Sequence, residues 1–556
     1  MQQHRHSSWA YVLLLLLSLG GAYLRLAHLD RPSFWVDEFN HVVAAQAMLE
    51  GKGAVFPSGL PYQRGMLFTK IVAGAFAFFG VSEFSARMVS AVCGVLAIPL
   101  VFFVAARLFR HLGVGLVAAF LQAFTPFNIG WSRVSRMYAI FQFFFLLAAY
   151  AIYQGMEGSR KKFAGATAKA QTEKPGPQWR FAAWNVDFFW LLIAAAAFAV
   201  ATYLQVLSGI IVPGLMAYFL VMLLWTATAK GWRGAAASKY TFFLVLALLG
   251  VVGVGVGAPG LLAEAREAMN FSPNWAQYDY VQNKFYYLWF LTSNFYFTIA
   301  AFFMIGAAIA VAELHKPAIY LLCVFLVALG LLSTLFVVKV ERYIFHLFPF
   351  YLIVAAYGAV RFFSLAITLN REMLQRASQQ NFGRASKLRL VAVVVVIVGI
   401  IGASDWLRYS RKIPAAYTAT NGAVGHEEWR EACAYVRSQR TEGQPVISTL
   451  PIAVHYYLGS VDYYLASCQN PRDEEIIMKN GAAVDYYSNA RVIDTVEDLQ
   501  RLMAAQPQGW LIADEYRLGE ERLVRPAVKE FIQRQLQCSY VTPEKSIAIY
   551  RWRGDH

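Results

Sequence analysis

Charged residues are scarce in this sequence. Of its 556 residues, 15% are charged and 58% are hydrophobic, and the mean hydropathy is +0.44. This composition excludes an ordinary soluble domain and predicts a polytopic membrane protein. The chain has no CxxC or histidine-rich spacing typical of metal sites. After about residue 408 it also lacks the glycine-rich loops GxGxxG and GxxxxGK(S/T), which argues against a phosphate cradle there.

Cysteines are few as well, and their number is odd. Cys93 and Cys323 lie inside apolar stretches, where we interpret them as small core residues. Cys433, Cys468 and Cys538 lie in the C-terminal part, where three cysteines allow one disulfide and leave one thiol.

Long apolar runs make up most of the remaining chain. A stretch of about 18 or more apolar residues is long enough to cross a bilayer as a helix. We count eleven such stretches, near 9–27, 85–106, 112–130, 137–155, 184–204, 206–228, 240–258, 285–312, 317–338, 343–363 and 389–407.

Basic residues cluster on alternate loops, after spans two, four, six and ten. Short cytoplasmic loops retain positive charge, so these loops are predicted to lie inside and the N-terminus to be cytoplasmic. The segments 28–84, 131–136, 259–284, 339–342 and everything after about 408 are then outside. The basic N-terminus resembles a signal peptide but lacks a clear cleavage site, so we expect an uncleaved first helix. Most of the net charge of +15 lies in the loops predicted to be inside. There, positive residues set the membrane topology and contact anionic lipid headgroups, so we do not expect nucleic-acid binding.

The first outer loop, residues 28–84, contains two amphipathic patterns. Apolar residues at helical spacing predict helices over Glu38–Leu49 and Met66–Phe79, joined by the glycine- and proline-containing stretch 51–65. Helices of this kind lie in the membrane interface and can form the wall of an active site. By contrast, the inner loop 156–183 is rich in Ala, Lys, Gly and Pro and is interpreted as a solvated linker.

From about residue 408 the composition is that of a soluble domain. We therefore divide the chain into a transmembrane domain, 1–407, and an extracytoplasmic domain, 408–556. Alternating strand and helix patterns predict a small α/β domain. The predicted helices are 427–437, 452–458, 496–505 and 528–537, and the predicted strands are 445–448, 490–492, 510–513 and 546–552.

Two acids directly follow the first span, at Asp37 and Glu38. Asp37 is placed to cap the first amphipathic helix, or to take a proton from an acceptor hydroxyl near the membrane surface. His41 lies one turn further on, so the three side chains are expected to converge, as a proton relay, a metal site or simply a polar surface.

Several cations lie on the outer loops, where the orientation rule disfavours positive charge. They suit either a phosphate partner or snorkelling anchors at the interface. The aromatic residues near them are typical of an interfacial belt and can also stack on sugar faces. The cations are Arg64, Lys70, Arg133, Arg136, Lys339 and Arg342, and the aromatic residues include Trp35, Tyr62, Tyr138 and Tyr343.

Five short motifs, in order along residues 9–407, resemble the protein O-mannosyltransferase superfamily. This superfamily has the GT-C fold and includes the bacterial lipid A aminoarabinose transferase. The motifs are Phe34-Trp35-Val36-Asp37-Glu38, Tyr62-Gln63-Arg64-Gly65, Ser82-Glu83-Phe84-Ser85-Ala86-Arg87, Ser135-Arg136-Met137-Tyr138-Ala139, and Glu341-Arg342-Tyr343-Ile344-Phe345 with Pro349.

The resemblance implies a bacterial-type membrane glycosyltransferase that uses a polyprenyl-phosphate sugar donor. It implies that Asp37 is the catalytic carboxylate. We expect Glu38 and His41, its neighbours on the same helix, to support it. No obligatory metal is expected, although a divalent ion stays open. The resemblance also matches Arg64 to a donor-phosphate ligand and Tyr343 to the tyrosine that opens span ten. We expect Arg342 and Arg136 to join them at the donor phosphate, and Tyr62, Lys70 and Tyr138 to line the substrate cavity.

Two other classes compete with a glycosyltransferase. A transporter or flippase of lipid-linked glycans is expected to carry functional charges near mid-membrane, whereas the charges here cluster at one surface. A structural membrane protein would use its outer domain to bind a partner. The acceptor, whether lipid A, a polysaccharide intermediate or a protein, stays open at this point.

Overall fold

The computed structural model describes residues 2–158, 186–270, 283–293, 295–378, 427–469 and 475–553. The first four ranges are helical, and the last two form a domain with one β-sheet. The helices of the first part are α1 Gln2–Leu26, α2 Val36–Leu49, α3 Met66–Phe79, α4 Glu83–Phe109, α5 Leu112–Phe124, α6 Pro126–Ser132, α7 Tyr138–Glu157, α8 Phe188–Leu204, α9 Ile211–Ala236, α10 Lys239–Gly257, α11 Pro259–Asn270, α12 Tyr286–Thr292, α13 Phe297–Ala312, α14 Lys316–Leu335 and α15 Phe348–Ser378.

Among the described residues, seven helices are long and apolar enough to cross a membrane, or nine if each bent pair is one span. The shorter α8 accounts for one further predicted span. Ten of the eleven predicted stretches therefore coincide with an apolar helix or bent pair. The eleventh, 389–407, lies outside the described residues, as do the expected domain boundary near 408 and almost all of the inner loop 156–183.

The first outer loop contains both predicted helices. α3 has the predicted bounds, and α2 begins two residues earlier than predicted, at Val36. Each helix buries one face: Phe39 and Val42 on α2, Phe68 and Val72 on α3. Both helices of the loop therefore pack one face against the protein core.

The third span bends by 57° between α5 and α6, where Pro126 begins the second helix. A break of this kind leaves backbone carbonyls without helical partners. The buried guanidinium of Arg25 donates to the carbonyls of Gln122 and Ala123, each at 2.9 Å. The bend carries the chain into the turn 133–137, which holds Arg136.

The C-terminal domain has an eight-stranded mixed sheet in the order β3-β4-β5-β2-β1-β6-β8-β7. The four central strands, β5, β2, β1 and β6, are parallel, and antiparallel strands complete both edges. The strands are β1 Val446–Ser448, β2 Tyr463–Leu465, β3 Ile476–Lys479, β4 Ala482–Asp485, β5 Arg491–Ile493, β6 Gln508–Asp514, β7 Gln537–Val541 and β8 Ile547–Arg553. The helices are α16 Trp429–Gln439, α17 Pro451–Leu458, α18 Val496–Ala505, α19 Glu515–Gly519 and α20 Pro526–Gln535.

Each predicted α/β element has a counterpart, but strands β2, β3, β4 and β7 were not predicted. They are only three to five residues long and mostly lack an alternating pattern of burial. The helix predicted over 528–537 ends at Gln535, because Gln537 begins the edge strand β7. The disulfide considered from the sequence is not formed: Cys433, Cys468 and Cys538 are all free thiols.

The sheet domain packs directly on the first outer loop through α17. The rings of Tyr456 and Tyr457 contact Phe34 and Phe39, with centroids 5.4–6.5 Å apart. The Tyr457 hydroxyl accepts a hydrogen bond from the Phe34 amide and donates one to Glu83, both at 2.9 Å. The domain therefore contacts the segment that carries Asp37.

Candidate active site

Asp37 occupies the second position of α2, between Val36 and Glu38. The helix N-cap is Trp35, so the prediction that Asp37 is the cap residue is wrong. The Asp37 side chain is 27% exposed. Its Oδ2 lies 3.9 Å from a guanidinium nitrogen of Arg136 and 3.9 Å from one of Arg342. Its carboxylate accepts no hydrogen bond from any residue that the structure describes, so its lone pairs are available to a substrate.

Glu38, the adjacent acid, is engaged on both oxygens. Its Oε1 accepts from Arg87 Nε at 2.9 Å and from the Ser135 amide at 2.6 Å. Its Oε2 accepts from Arg87 Nη2 at 2.8 Å and from the Trp35 amide at 2.9 Å. Both Glu38 and Arg87 are completely buried. Glu38 therefore caps α2 and joins it to α4 and to the turn before α7.

Arg136 reaches Asp37 from the turn 133–137. Its Nη1 donates to the Asp37 carbonyl at 2.8 Å, and its guanidinium lies 5.9 Å from the Tyr138 ring. Burial alone would lower the pKa of Arg136. The Asp37 carboxylate and the phenols of Tyr62 and Tyr138 reverse this and raise the pKa above its ordinary value. The side chain therefore stays cationic.

Arg342 contacts the same Asp37 oxygen from a 3₁₀ turn, Glu341–Leu347. Its guanidinium lies 5.7 Å from the Trp35 ring and 5.8 Å from the Tyr343 ring. A buried amide holds this turn in place, since Gln142 Nε2 donates to the Phe345 carbonyl at 2.6 Å. The structure thus brings two predicted phosphate ligands, Arg136 and Arg342, to one carboxylate.

Each of the two arginines has one buried N–H donor that is not used within the described part of the protein. The Nε atoms of Arg136 and Arg342 are buried and have no hydrogen-bond partner within the described ranges. A buried donor without a partner costs free energy, so it is expected where a ligand completes the site. An anionic group close to Asp37 would be stabilised by both cations.

His41 does not converge with Asp37 and Glu38, so that prediction is wrong. It is completely buried and turned toward α3, where Nδ1 lies 2.9 Å from Thr69 Oγ1 and Nε2 lies 3.3 Å from the Tyr62 hydroxyl. Burial, and then the charges of Arg136 and Arg64, lower the pKa of His41 well below its ordinary value. A neutral His41 orients Tyr62, and the three α2 side chains have separate partners.

The two cations beside α3 differ in their surroundings. Arg64 is exposed just before the helix, and its charge acts on both His41 and Tyr62. Lys70 is exposed on α3, one residue beyond the buried Thr69. The roles predicted for Arg64 and Lys70 stay predictions.

Two contacts near the site were not predicted from the sequence, and one cation named there lies elsewhere. The sequence analysis named Arg87 only as part of a motif and did not predict its ion pair with Glu38. A lone arginine near the start of an apolar span could have indicated a buried acidic partner. Arg133 does not face the site, because its guanidinium donates to the carbonyls of residues 24, 25, 27 and 28 at the end of α1. The contact of Tyr487 with the first outer loop joins segments far apart in sequence, and no local pattern marks it.

Comparison with known proteins gives a partial sequence match. Residues 63–169 match the family model of dolichyl-phosphate-mannose-protein mannosyltransferases. A curated relative, the undecaprenyl phosphate-alpha-4-amino-4-deoxy-L-arabinose arabinosyl transferase of Pseudomonas paraeruginosa, is 32% identical over 168 residues. This match covers 28% of the chain and spans 29% of the relative's length.

The structural likeness extends over nearly the whole chain. ArnT from Cupriavidus metallidurans, solved in the apo state and bound to undecaprenyl phosphate, matches with a TM-score of 0.56, 16% identity and 98% coverage of both chains. The archaeal oligosaccharyltransferase AglB from Archaeoglobus fulgidus matches with a TM-score of 0.58 and 12% identity, covering 98% of this chain and 74% of AglB. The chain has the GT-C glycosyltransferase fold. This confirms the resemblance noted from the sequence and the expected fold class, including the C-terminal sheet domain. Within the GT-C fold, the Asp37 cluster lies where α2, the turn 133–137 and the 3₁₀ turn 341–347 meet.

Proposed function

We propose that this chain is an integral membrane glycosyltransferase. It moves a sugar from a polyprenyl-phosphate donor, undecaprenyl phosphate in a bacterial host, to an acceptor hydroxyl on the extracytoplasmic side. The GT-C fold and the partial match to a lipid-phosphate-dependent transferase support this reading. The distribution of basic loops supports an inner-membrane protein with a cytoplasmic N-terminus and a periplasmic or extracellular C-terminal domain.

One observation carries the proposal: no described residue donates a hydrogen bond to the Asp37 carboxylate, and a buried Arg136 and a partly buried Arg342 flank it. A structural acid would be saturated with donors, as Glu38 is. A general base instead needs lone pairs that point to the substrate. The neighbouring cations suit a phosphate leaving group, so base and leaving-group ligands occur in one cluster.

The reaction is an inverting single displacement. The acceptor oxygen attacks the anomeric carbon and gives its proton to Asp37. The bond between that carbon and the phosphate oxygen breaks, and the polyprenyl phosphate leaves with its negative charge. Arg136 and Arg342 stabilise this charge, and Arg64 and Tyr343 complete the phosphate side. Inversion follows because only one displacement occurs at the anomeric carbon.

The guanidinium groups supply the positive charge that a leaving phosphate needs, so the step requires no obligatory metal. The acceptor is a glycan, a lipid or a protein with a reactive hydroxyl. Membrane lipids surround the spans, and no nucleic acid takes part.

A transfer assay tests the proposal against the transporter reading. The purified protein in lipid nanodiscs is given radiolabelled undecaprenyl-phosphate sugar and the membrane and envelope fractions of a strain that lacks this protein. We expect label to move to an acceptor and undecaprenyl phosphate to be released in equal amount. A transporter would instead move the intact donor across sealed vesicles without breaking its glycosidic bond.

A further inference from the structure

The segment that leads into α2, residues 29–34, forms no helix or strand. Its backbone is nevertheless held at every step, because each carbonyl from residue 29 to residue 33 accepts a hydrogen bond from one of two arginines. Arg87 of α4 donates to residues 29, 32 and 33, and Arg430 of α16 donates to residues 30 and 31. Side-chain donors of this kind take the place of the helical or sheet partners that irregular backbone lacks. The C-terminal domain, which contains α16, therefore shares with α4 the task of fixing this segment.

The C-terminal domain also holds the last two residues of the segment. The Tyr457 hydroxyl accepts from the Phe34 amide and donates to Glu83 Oε1, and Ser33 Oγ accepts from the Arg430 amide at 3.1 Å. Glu83 Oε1 accepts from Arg430 Nη1 as well, at 3.2 Å. The first residue of α4 thus binds both side chains of the C-terminal domain that hold the segment.

The position of this segment determines where the candidate active site begins. It ends next to Trp35, the N-cap of α2, which lies two residues before Asp37. The Trp35 ring lies 5.7 Å from the guanidinium of Arg342, which itself lies 3.9 Å from Asp37 Oδ2. A shift of the segment would therefore move both the first turn of α2 and the ring beside Arg342. A displacement of about 1 Å can cost about 100-fold in rate, because the reacting groups must be closely aligned.

We propose that the C-terminal domain positions Asp37 for proton transfer, and that Tyr457 and Arg430 are its positioning residues. Within the described part of the chain, neither residue forms a hydrogen bond or ion pair with Asp37. Both act through the backbone that precedes α2. The inference rests on the proposed function, in which Asp37 takes the acceptor proton.

The test separates positioning from general stability. Tyr457→Phe removes the hydroxyl that joins Phe34 to Glu83 and keeps the ring, and Arg430→Gln is a second, independent variant. Tyr435→Phe is the matched control, because the Tyr435 hydroxyl lies on the same α16 but donates within the C-terminal domain, to the Ser539 carbonyl at 3.2 Å.

Sugar transfer is measured in nanodiscs with saturating undecaprenyl-phosphate sugar and the acceptor fractions described above. The rate is divided by the number of sites that bind undecaprenyl phosphate, so that unfolded protein is not counted. Amide hydrogen exchange of the peptide covering residues 29–37, exchange in the sheet and Tm are measured in parallel.

We expect the rate per binding site to fall about 10- to 100-fold in Tyr457→Phe and in Arg430→Gln. Exchange of residues 29–37 should become faster, while undecaprenyl phosphate affinity, exchange in the sheet and Tm stay close to wild type. Tyr435→Phe should match wild type in every measurement.

A wild-type rate per binding site in both variants, with active wild-type protein, overturns this inference alone. A lower rate that comes with faster exchange throughout the sheet and a lower Tm shows a purely structural role and also overturns it. Absence of transfer by wild type to any fraction overturns the proposed function itself.

Discussion

Glu38 and Arg87 form a bidentate ion pair in which both side chains are completely buried, with N···O distances of 2.8 and 2.9 Å. Arg87 also donates to the carbonyls of Leu29, Pro32 and Ser33. One arginine of α4 therefore fixes both the segment before α2 and the first turn of α2. The backbone of the adjacent Asp37 is thereby fixed, while its carboxylate accepts no hydrogen bond from a described residue and has only the two arginines, 3.9 Å away, as partners. This is the arrangement that a general base needs.

Removing the charge of Glu38 should destabilise the protein. Glu38→Gln leaves Arg87 buried without its counter-charge, so we expect the free energy of unfolding to fall by about 3–5 kcal/mol. Denaturant titration in detergent micelles measures this loss. Asp37→Asn is the comparison, and it should cost much less because Asp37 is partly exposed and only 3.9 Å contacts are weakened. If both variants lost the same free energy of unfolding, Glu38 could not be the structural acid and Asp37 the reactive one.

The two arginines beside Asp37 should bind the donor phosphate. Arg136→Gln and Arg342→Gln each remove a charge-assisted contact worth about 1.5–3 kcal/mol, so affinity for undecaprenyl phosphate should fall about 10- to 100-fold. Isothermal titration in nanodiscs measures this affinity. Arg31→Gln, on an exposed arginine of the same outer loop, should bind like wild type. Wild-type affinity in both site variants would exclude them as phosphate ligands.

The C-terminal domain should lose stability as the pH rises toward neutrality. Burial raises the pKa of Asp485 from 3.8 to about 7, and Glu475 adds to this, although bonds from Ser488 oppose it. Between these values the folded domain holds a proton that the unfolded chain has released, so this group's contribution falls as the pH rises from about 4 to about 7. Asp485→Asn should flatten the Tm-against-pH curve between about pH 4 and about pH 7. If the Tm-against-pH curves of variant and wild type were parallel, Asp485 would not be the group that causes this pH dependence.

Much of the fold could be predicted because its signals are local. Apolar runs gave the positions of ten described spans, and amphipathic periodicity gave α3 with its observed bounds. The short strands β2, β3, β4 and β7 were missed, because their place in the sheet is decided by neighbours distant in sequence.

The site was predictable only in part, for the same reason. The five sequence motifs predicted that Asp37, Arg136 and Arg342 belong to the site, and the structure places these three side chains together. Helical spacing suggested that His41 joins Asp37, but packing against Thr69 and Tyr62 turns it away. No local pattern could reveal such a tertiary preference.

The role of Asp37 is tested most directly by the rate of sugar transfer in Asp37→Asn. The amide keeps the size of the side chain but cannot take the acceptor proton. We predict that kcat falls by about 10²- to 10⁴-fold, the contribution of a general base, while undecaprenyl phosphate still binds. Asp30→Asn, on an exposed acid of the same loop, should transfer at the wild-type rate. Transfer by Asp37→Asn at a rate close to wild type would contradict the assignment of Asp37 as the catalytic base.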